Sequence, residues 1–255
     1  MIGALLVTAL TTVTALPHTR TGQGPGIVLV HGLSGNRGLW DDAARVLAKS
    51  FTVVAVDLPG HGEAPAPARF DADEIAARIV ETARQEKLGR IVIVGHSLGG
   101  FIAAHVHDPS VAGIVLVDIG IAGLFSSNEE AEVRDGLAKN REALLTSWFA
   151  NISKPGAQRE RVTADLKKLS DATIRGYVHV MATQSTRTLH APALVMASPL
   201  LLPRKKPQAD ELAAVGYDAK TVRVERFDAS MHWLMWDEPG KFVKTLSEFA
   251  GRVLR

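Results

Sequence analysis

Apolar residues in this chain gather in short runs. The segments 27–30, 51–56, 91–94, 114–117, 193–197 and 222–227 are rich in Val, Ile, Leu and Ala, with Gly, Pro or charged residues at their ends. A strand with one wet face alternates apolar with polar, whereas a strand covered on both faces is apolar throughout. The runs therefore predict a mainly parallel sheet with helices on each side. Between them, 40–49, 72–86, 99–107, 209–216 and 239–254 repeat apolar positions three or four apart, the period of an amphipathic helix. Strand-helix alternation of this kind predicts an α/β protein with a doubly wound sheet. The rhythm breaks once. Residues 121–190 hold helical patterns at 129–151 and 158–184 and no strand-like run. At about 70 residues the segment is too long for a connection, which predicts a helical cap inserted between core portions 1–120 and 191–255.

Composition narrows the chemistry. The 255 residues suffice for one domain with a large core, and Cys 0 excludes disulfides, thiolate metal sites and cysteine nucleophiles. Covalent chemistry must therefore use oxygen or nitrogen. A formal charge of +2, with Arg204-Lys205-Lys206 as the one short basic run, predicts no nucleic-acid partner. The uncharged stretch 1–17 has no positive n-region and is interrupted by Thr8, Thr11, Thr12 and Thr14. It is expected to form opening strands of the core rather than a signal peptide or membrane anchor, in a cytoplasmic protein without a membrane partner. Nothing in the sequence fixes the oligomeric state.

The strongest motif is Gly95-His96-Ser97-Leu98-Gly99, placed after the apolar run 91–94 and before a helical pattern. It fits G-x-S-x-G, in which a serine occupies a tight strand-to-helix turn and the flanking glycines clear space for it. Ser97 is the expected nucleophile. A neutral hydroxyl needs a base, and among nine histidines His232 follows the last strand-like run and precedes the closing helix, which brings it to the same carboxyl edge of a parallel sheet.

On these residues the sequence resembles the α/β-hydrolase family. Its other marks occur in order: Val30-His31-Gly32-Leu33, then Asp57-Leu58-Pro59-Gly60-His61-Gly62, then Met231-His232-Trp233. The resemblance implies the α/β-hydrolase fold, a Ser–acid–His triad, and an oxyanion hole from the backbone amides of Leu33 and Leu98. It assigns shaping roles to His31 and His96. It also implies that Ser97 separates this chain from the dehalogenase and epoxide-hydrolase branches, which carry aspartate at the elbow.

The acid departs from the commonest family pattern, because no carboxylate occupies the turn 198–203 after the run 193–197. Two candidates remain. Asp118 ends the run 114–117, at the carboxyl edge where it can reach His232, whereas Asp210 begins a helix beyond the expected turn. Asp57 and Asp228 are expected to shape loops.

Pocket-lining candidates are Trp40, Leu124, Phe125, Trp148, Phe149, Tyr177, Met181 and Met231, bulky side chains of the cap and the loops near the motifs. His105 and His107 are two apart on a helix and face different ways, so no metal is expected there. Gly22-Gln23-Gly24-Pro25-Gly26 precedes a strand instead of following one, and no nucleotide or other cofactor is implied. The expected activity is cleavage of a small carboxylic ester through an acyl-enzyme, with a small acyl compound as partner. Thioesterase, lactonase or C–C hydrolase chemistry on the same residues remains open, as does a ligand receptor with vestigial activity.

Overall fold

The structure, a computed structural model, describes residues 13–122, 124–184 and 188–255. Among the described residues, seven strands form one sheet: β1 (His18–Thr21), β2 (Gly26–Val30), β3 (Thr52–Val56), β4 (Ile91–His96), β5 (Val111–Val117), β6 (Ala193–Ala197) and β7 (Val222–Arg226). They lie in the order β1-β3-β2-β4-β5-β6-β7, all parallel except β1, which pairs antiparallel with β3. The architecture is the expected doubly wound α/β sheet. Every residue of β2, β3, β4 and β6 is buried, the reason their sequences lack alternation. β7 is the opposite edge and carries Arg223, Glu225 and Arg226.

Helices α1 (Asp41–Leu47), α2 (Ala72–Gln85) and α3 (Leu98–Ala104) fill the crossovers among the first strands, and a 3-10 turn, Arg37–Trp40, leads into α1. Asp71 caps α2 by accepting the Glu74 amide at 3.0 Å. Between β5 and β6 lie α4 (Ser127–Trp148), α5 (Ala157–Lys167) and α6 (Asp171–Thr183), and α7 (Gln208–Ala214), α8 (Leu234–Asp237) and α9 (Pro239–Val253) complete the chain. The Ser126–Glu129 capping box starts α4, which breaks at Asn140 (φ −156°, ψ 76°).

Two sequence expectations change. The pattern 158–184 is two helices, because Ser170 caps a new one through the Thr173 amide. Opening strands are not found at 13–17, while residues 1–12 lie outside the described set. Among the described residues the first strand is the polar His-Thr-Arg-Thr of β1, three of whose four residues are exposed. An edge strand with an exposed face needs no apolar run, so the hydrophobic pattern is blind to it. Among the described residues, no helix is long and apolar enough to cross a membrane.

Candidate active site

The carboxyl ends of β4, β5 and β7 converge on one edge, and each leads into a segment holding a candidate residue. After β4 the chain turns at Ser97 with φ 51° and ψ −124°, a strained conformation for a residue with a side chain. Two features hold it there. The Ser97 amide donates to Val117 O of β5 at 3.0 Å. Packing around the turn also leaves no room for larger residues: a Cβ on Gly95 would lie 2.2 Å from Gly99 O, and one on Gly99 2.4 Å from Val30 O. Helix α3 thus rests its backbone directly on the end of β2.

After β2, two buried histidines fix the backbone carbonyls of Gly32 and Leu33. The Leu58 amide donates to His31 Nε2 at 3.0 Å, which requires the His31 proton on Nδ1, and that proton is donated to Gly32 O at 2.8 Å. A trans peptide directs its N–H opposite its carbonyl, so pinning Gly32 O also sets the direction of the Leu33 amide. His61 Nε2 donates to Leu33 O at 2.8 Å. Burial lowers the pKa of both histidines below the usual imidazole value, with further lowering of His31 by the neighbouring His61. Leu98, the other amide expected in the oxyanion hole, is the first residue of α3, where an amide has no carbonyl acceptor within its own helix.

After β5, Asp118 adopts φ 50°, and its amide donates to Met196 O at 2.8 Å. The carboxylate is buried and divided between two donors. Oδ1 accepts the Ser198 amide at 2.8 Å, and Oδ2 accepts His232 Nδ1–H at 2.8 Å. The neighbouring carbonyl, Ile119 O, is held by the Tyr217 hydroxyl at 2.5 Å, and burial, followed by the charge of Asp118, raises the pKa of that phenol. Asp210 is exposed in the first turn of α7, and Asp228 pairs with Arg204 at 2.6 Å. Asp57 accepts Arg37 and the Glu63 amide, which ties down the loop after β3.

His232 is held on every side. Its carbonyl accepts His96 Nε2–H at 2.9 Å, its ring lies edge-on to Trp233 at 5.1 Å between centroids, and its amide donates to Ile152 O at 3.0 Å. His96 is fully buried, and burial first, then the adjacent His232, lowers its pKa. The Ile152 contact comes from the segment joining α4 to α5. From the same segment, Lys154 Nζ lies 3.1 Å from Asp237 Oδ1, and from the first turn of α5 Gln158 Nε2 donates to that oxygen at 2.9 Å. The other oxygen, Oδ2, accepts the Met231 amide at 2.7 Å. Sequence reading missed Ile152, Lys154, Gln158 and Asp237 because their contacts, one through a backbone carbonyl and the others between side chains, join positions about 80 apart. Only the buried carboxylate of Asp237, five residues beyond His232, leaves a trace.

The pocket candidates separate. Trp40 is wholly buried and stacks on Phe242 of α9 at 6.0 Å, a core contact. Phe149 lies edge-on to Trp233, the residue after His232, at 5.7 Å. Leu124, Phe125 and Trp148 are half-buried against the core, Met231 is half-buried, and Met181 is buried in α6. Tyr177, also buried in α6, donates its hydroxyl to Pro59 O at 2.9 Å, beside His61. His105 Nδ1–H donates to Asp73 Oδ1 at 2.9 Å, and His107 packs edge-on to His190. Among the described residues, no group of three or more His, Cys, Asp or Glu is placed to hold a metal ion.

This fold, with a strained serine turn after β4 and a histidine–carboxylate pair at the same sheet edge, defines an α/β-hydrolase architecture. The model of the Alpha/beta hydrolase family matches residues 27–245, and the chain belongs to that family. Among curated relatives, a pimeloyl-[acyl-carrier protein] methyl ester esterase of Chromobacterium violaceum is 44% identical over 99 residues, 38% of this chain and 37% of that protein. A protein of the same name from Vibrio atlanticus is 38% identical over 100 residues, 38% of this chain and 37% of its own length. These matches span little more than a third of the relatives. Among solved structures, an esterase of Thermogutta terrifontis superposes with a TM-score of 0.79 at 18% identity, covering 94% of both chains. An enol-lactonase of Burkholderia xenovorans superposes with a TM-score of 0.77 at 19% identity, covering 92% of this chain and 95% of its own. At such identities the superpositions establish the fold alone.

Proposed function

We propose that this protein is a serine hydrolase that cleaves a small carboxylic ester, with α4–α6 as a cap over the site. The observation carrying the reading is the 2.8 Å bond from His232 Nδ1–H to a buried carboxylate at the sheet edge where Ser97 sits in its strained turn. With its proton committed to Asp118, the neutral imidazole presents Nε2 as a base. In this reading His232 Nε2 takes the Ser97 hydroxyl proton as Oγ forms a bond to the ester carbonyl carbon. The carbonyl electron pair moves onto oxygen, where the Leu33 and Leu98 amides stabilise it. Collapse breaks the bond to the alkoxy group, which leaves with the proton from His232. Water then repeats the sequence on the acyl-enzyme and releases the acid and free Ser97. Partial similarity to two proteins named as methyl ester esterases supports an ester over an amide.

The test is hydrolysis of p-nitrophenyl acetate and butyrate, with background subtracted. Ser97→Ala should lose at least a thousandfold in kcat, since removal of a triad member leaves only the contribution of the oxyanion hole and binding. Near-wild-type turnover by that variant refutes the proposal.

A further inference from the structure

Resting on that reading, we propose that Asp237 is a positioning residue that couples seating of the cap to placement of His232. Two adjacent backbone amides hold the loop carrying the base. The Met231 amide donates to Asp237 Oδ2 at 2.7 Å and the His232 amide to Ile152 O at 3.0 Å. One anchor therefore belongs to the core and the other to the cap. The Asp237 carboxylate joins them, because its second oxygen faces Lys154 Nζ at 3.1 Å and receives Gln158 Nε2–H at 2.9 Å, both from the cap. Gln158 is itself fixed, its Oε1 accepting the Lys154 amide at 2.7 Å.

The Asp237 side chain is 1% exposed, so its charge depends on these donors instead of water. Lifting the segment 152–158 removes the acceptor for the His232 amide and, in the same movement, two of the three donors to Asp237. The carboxylate left behind must find water or new partners, and the turn 231–237 must shift to let it. The base is then displaced from Ser97 while Asp118, anchored by Ser198, stays in place. The neighbouring contacts favour a concerted movement. Arg161 of α5 stacks over Trp236, the neighbour of Asp237, at 4.6 Å and donates to Gly38 O at 3.0 Å, so α5 also grips the core next to Asp237. An unseated cap accordingly means a misaligned base, which makes hydrolysis conditional on cap closure.

The decisive comparison is between Asp237→Ala and the double variant Lys154→Met/Gln158→Leu, which leaves every residue of the 231–237 turn intact. Amide hydrogen exchange should rise at least tenfold in the peptide spanning 228–236 in both variants, with the peptide spanning 91–104 unchanged. On p-nitrophenyl butyrate, kcat should fall at least tenfold in both, with KM changing less than threefold, and Asp237→Asn, which retains an acceptor for Met231, should recover part of the loss. Exchange at 228–236 that stays at the wild-type level in the double variant overturns the coupling, because the turn then holds itself without the cap. Loss of kcat with a matching loss of folded protein and no local change in exchange also overturns it in favour of a general packing role. The exchange readout is independent of turnover, so failure of the Ser97 hydrolase reading would show separately, as activity retained by Ser97→Ala.

Discussion

Replacing Asp118 with Asn tests the proposed triad at the member the sequence left least determined. The substitution suits the backbone, because residue 118 sits at φ 50°, a left-handed conformation that Asn tolerates better than other residues with side chains. It also keeps one of the two hydrogen bonds, since the amide oxygen can accept from Ser198 N as Oδ1 does. That bond then fixes the orientation of the carboxamide. Its NH2 group faces His232 Nδ1, which today donates to Oδ2 at 2.8 Å. Two donors cannot share a hydrogen bond, so the imidazole proton moves to Nε2, and the nitrogen required as base for Ser97 becomes a donor. An equivalent tautomer change in a serine protease costs about 10⁴ in kcat. Here a loss of about 10³–10⁴ is expected, or ~4–5.5 kcal/mol at 1.36 kcal/mol per tenfold. The assay is steady-state hydrolysis of p-nitrophenyl butyrate near pH 7, with thermal unfolding of both proteins alongside. A folded Asp118→Asn enzyme within tenfold of wild type would show that Asp118 does not set the tautomer, and the argument from the 2.8 Å bond would fall.

Other expectations concern the scaffold. Gly99→Ala places a methyl group 2.4 Å from Val30 O and should lower Tm strongly and abolish activity, because backbone on both sides must move; a stable, active variant would contradict the direct contact of α3 with β2. Tyr177→Phe loses the hydroxyl bond to Pro59 O and leaves that buried carbonyl short of a donor, so denaturant unfolding should report destabilisation of about 1–3 kcal/mol. Stability should decline on acidification below the usual imidazole value of 6.5, because burial depresses His31, His61 and His96 in the folded state. In that window the unfolded chain binds more protons than the folded one, so each such histidine contributes a slope of up to about 1.4 kcal/mol per pH unit, with stability rising with pH. Urea unfolding at pH 7 and pH 5 that gives equal stability would count against the burial of these rings.

What the sequence disclosed follows from the range of each interaction. The parallel strands are legible because double-sided burial is written into every residue of β2, β3 and β6, and the elbow because only glycine fits at 95 and 99. β1 is not legible, since its partners are backbone groups of β3 and its side chains face water. Likewise, Asp118 is ambiguous in sequence because its distinction from Asp210 is a matter of reach toward a histidine 114 positions away. The aromatic residues illustrate the same limit. Trp40 and Phe149 look alike in the chain, yet one is buried on Phe242 and the other lies against Trp233 next to His232. A contact through a backbone carbonyl such as Ile152 O carries no side-chain signature at all.

The order of strands across the sheet has a consequence for how the protein matures. Among the described strands β7, whose following loop carries His232, pairs with β6, which in turn pairs with β5, and β6 is separated from β5 in sequence by the whole of α4–α6. The contacts His96–His232 and Asp118–His232 span 136 and 114 positions, so they close some of the longest loops in the chain. Long closures of this kind are slow and come after local structure. During refolding, recovery of turnover should therefore lag behind helix formation, and enzymatic activity becomes a clock for the last strand to join.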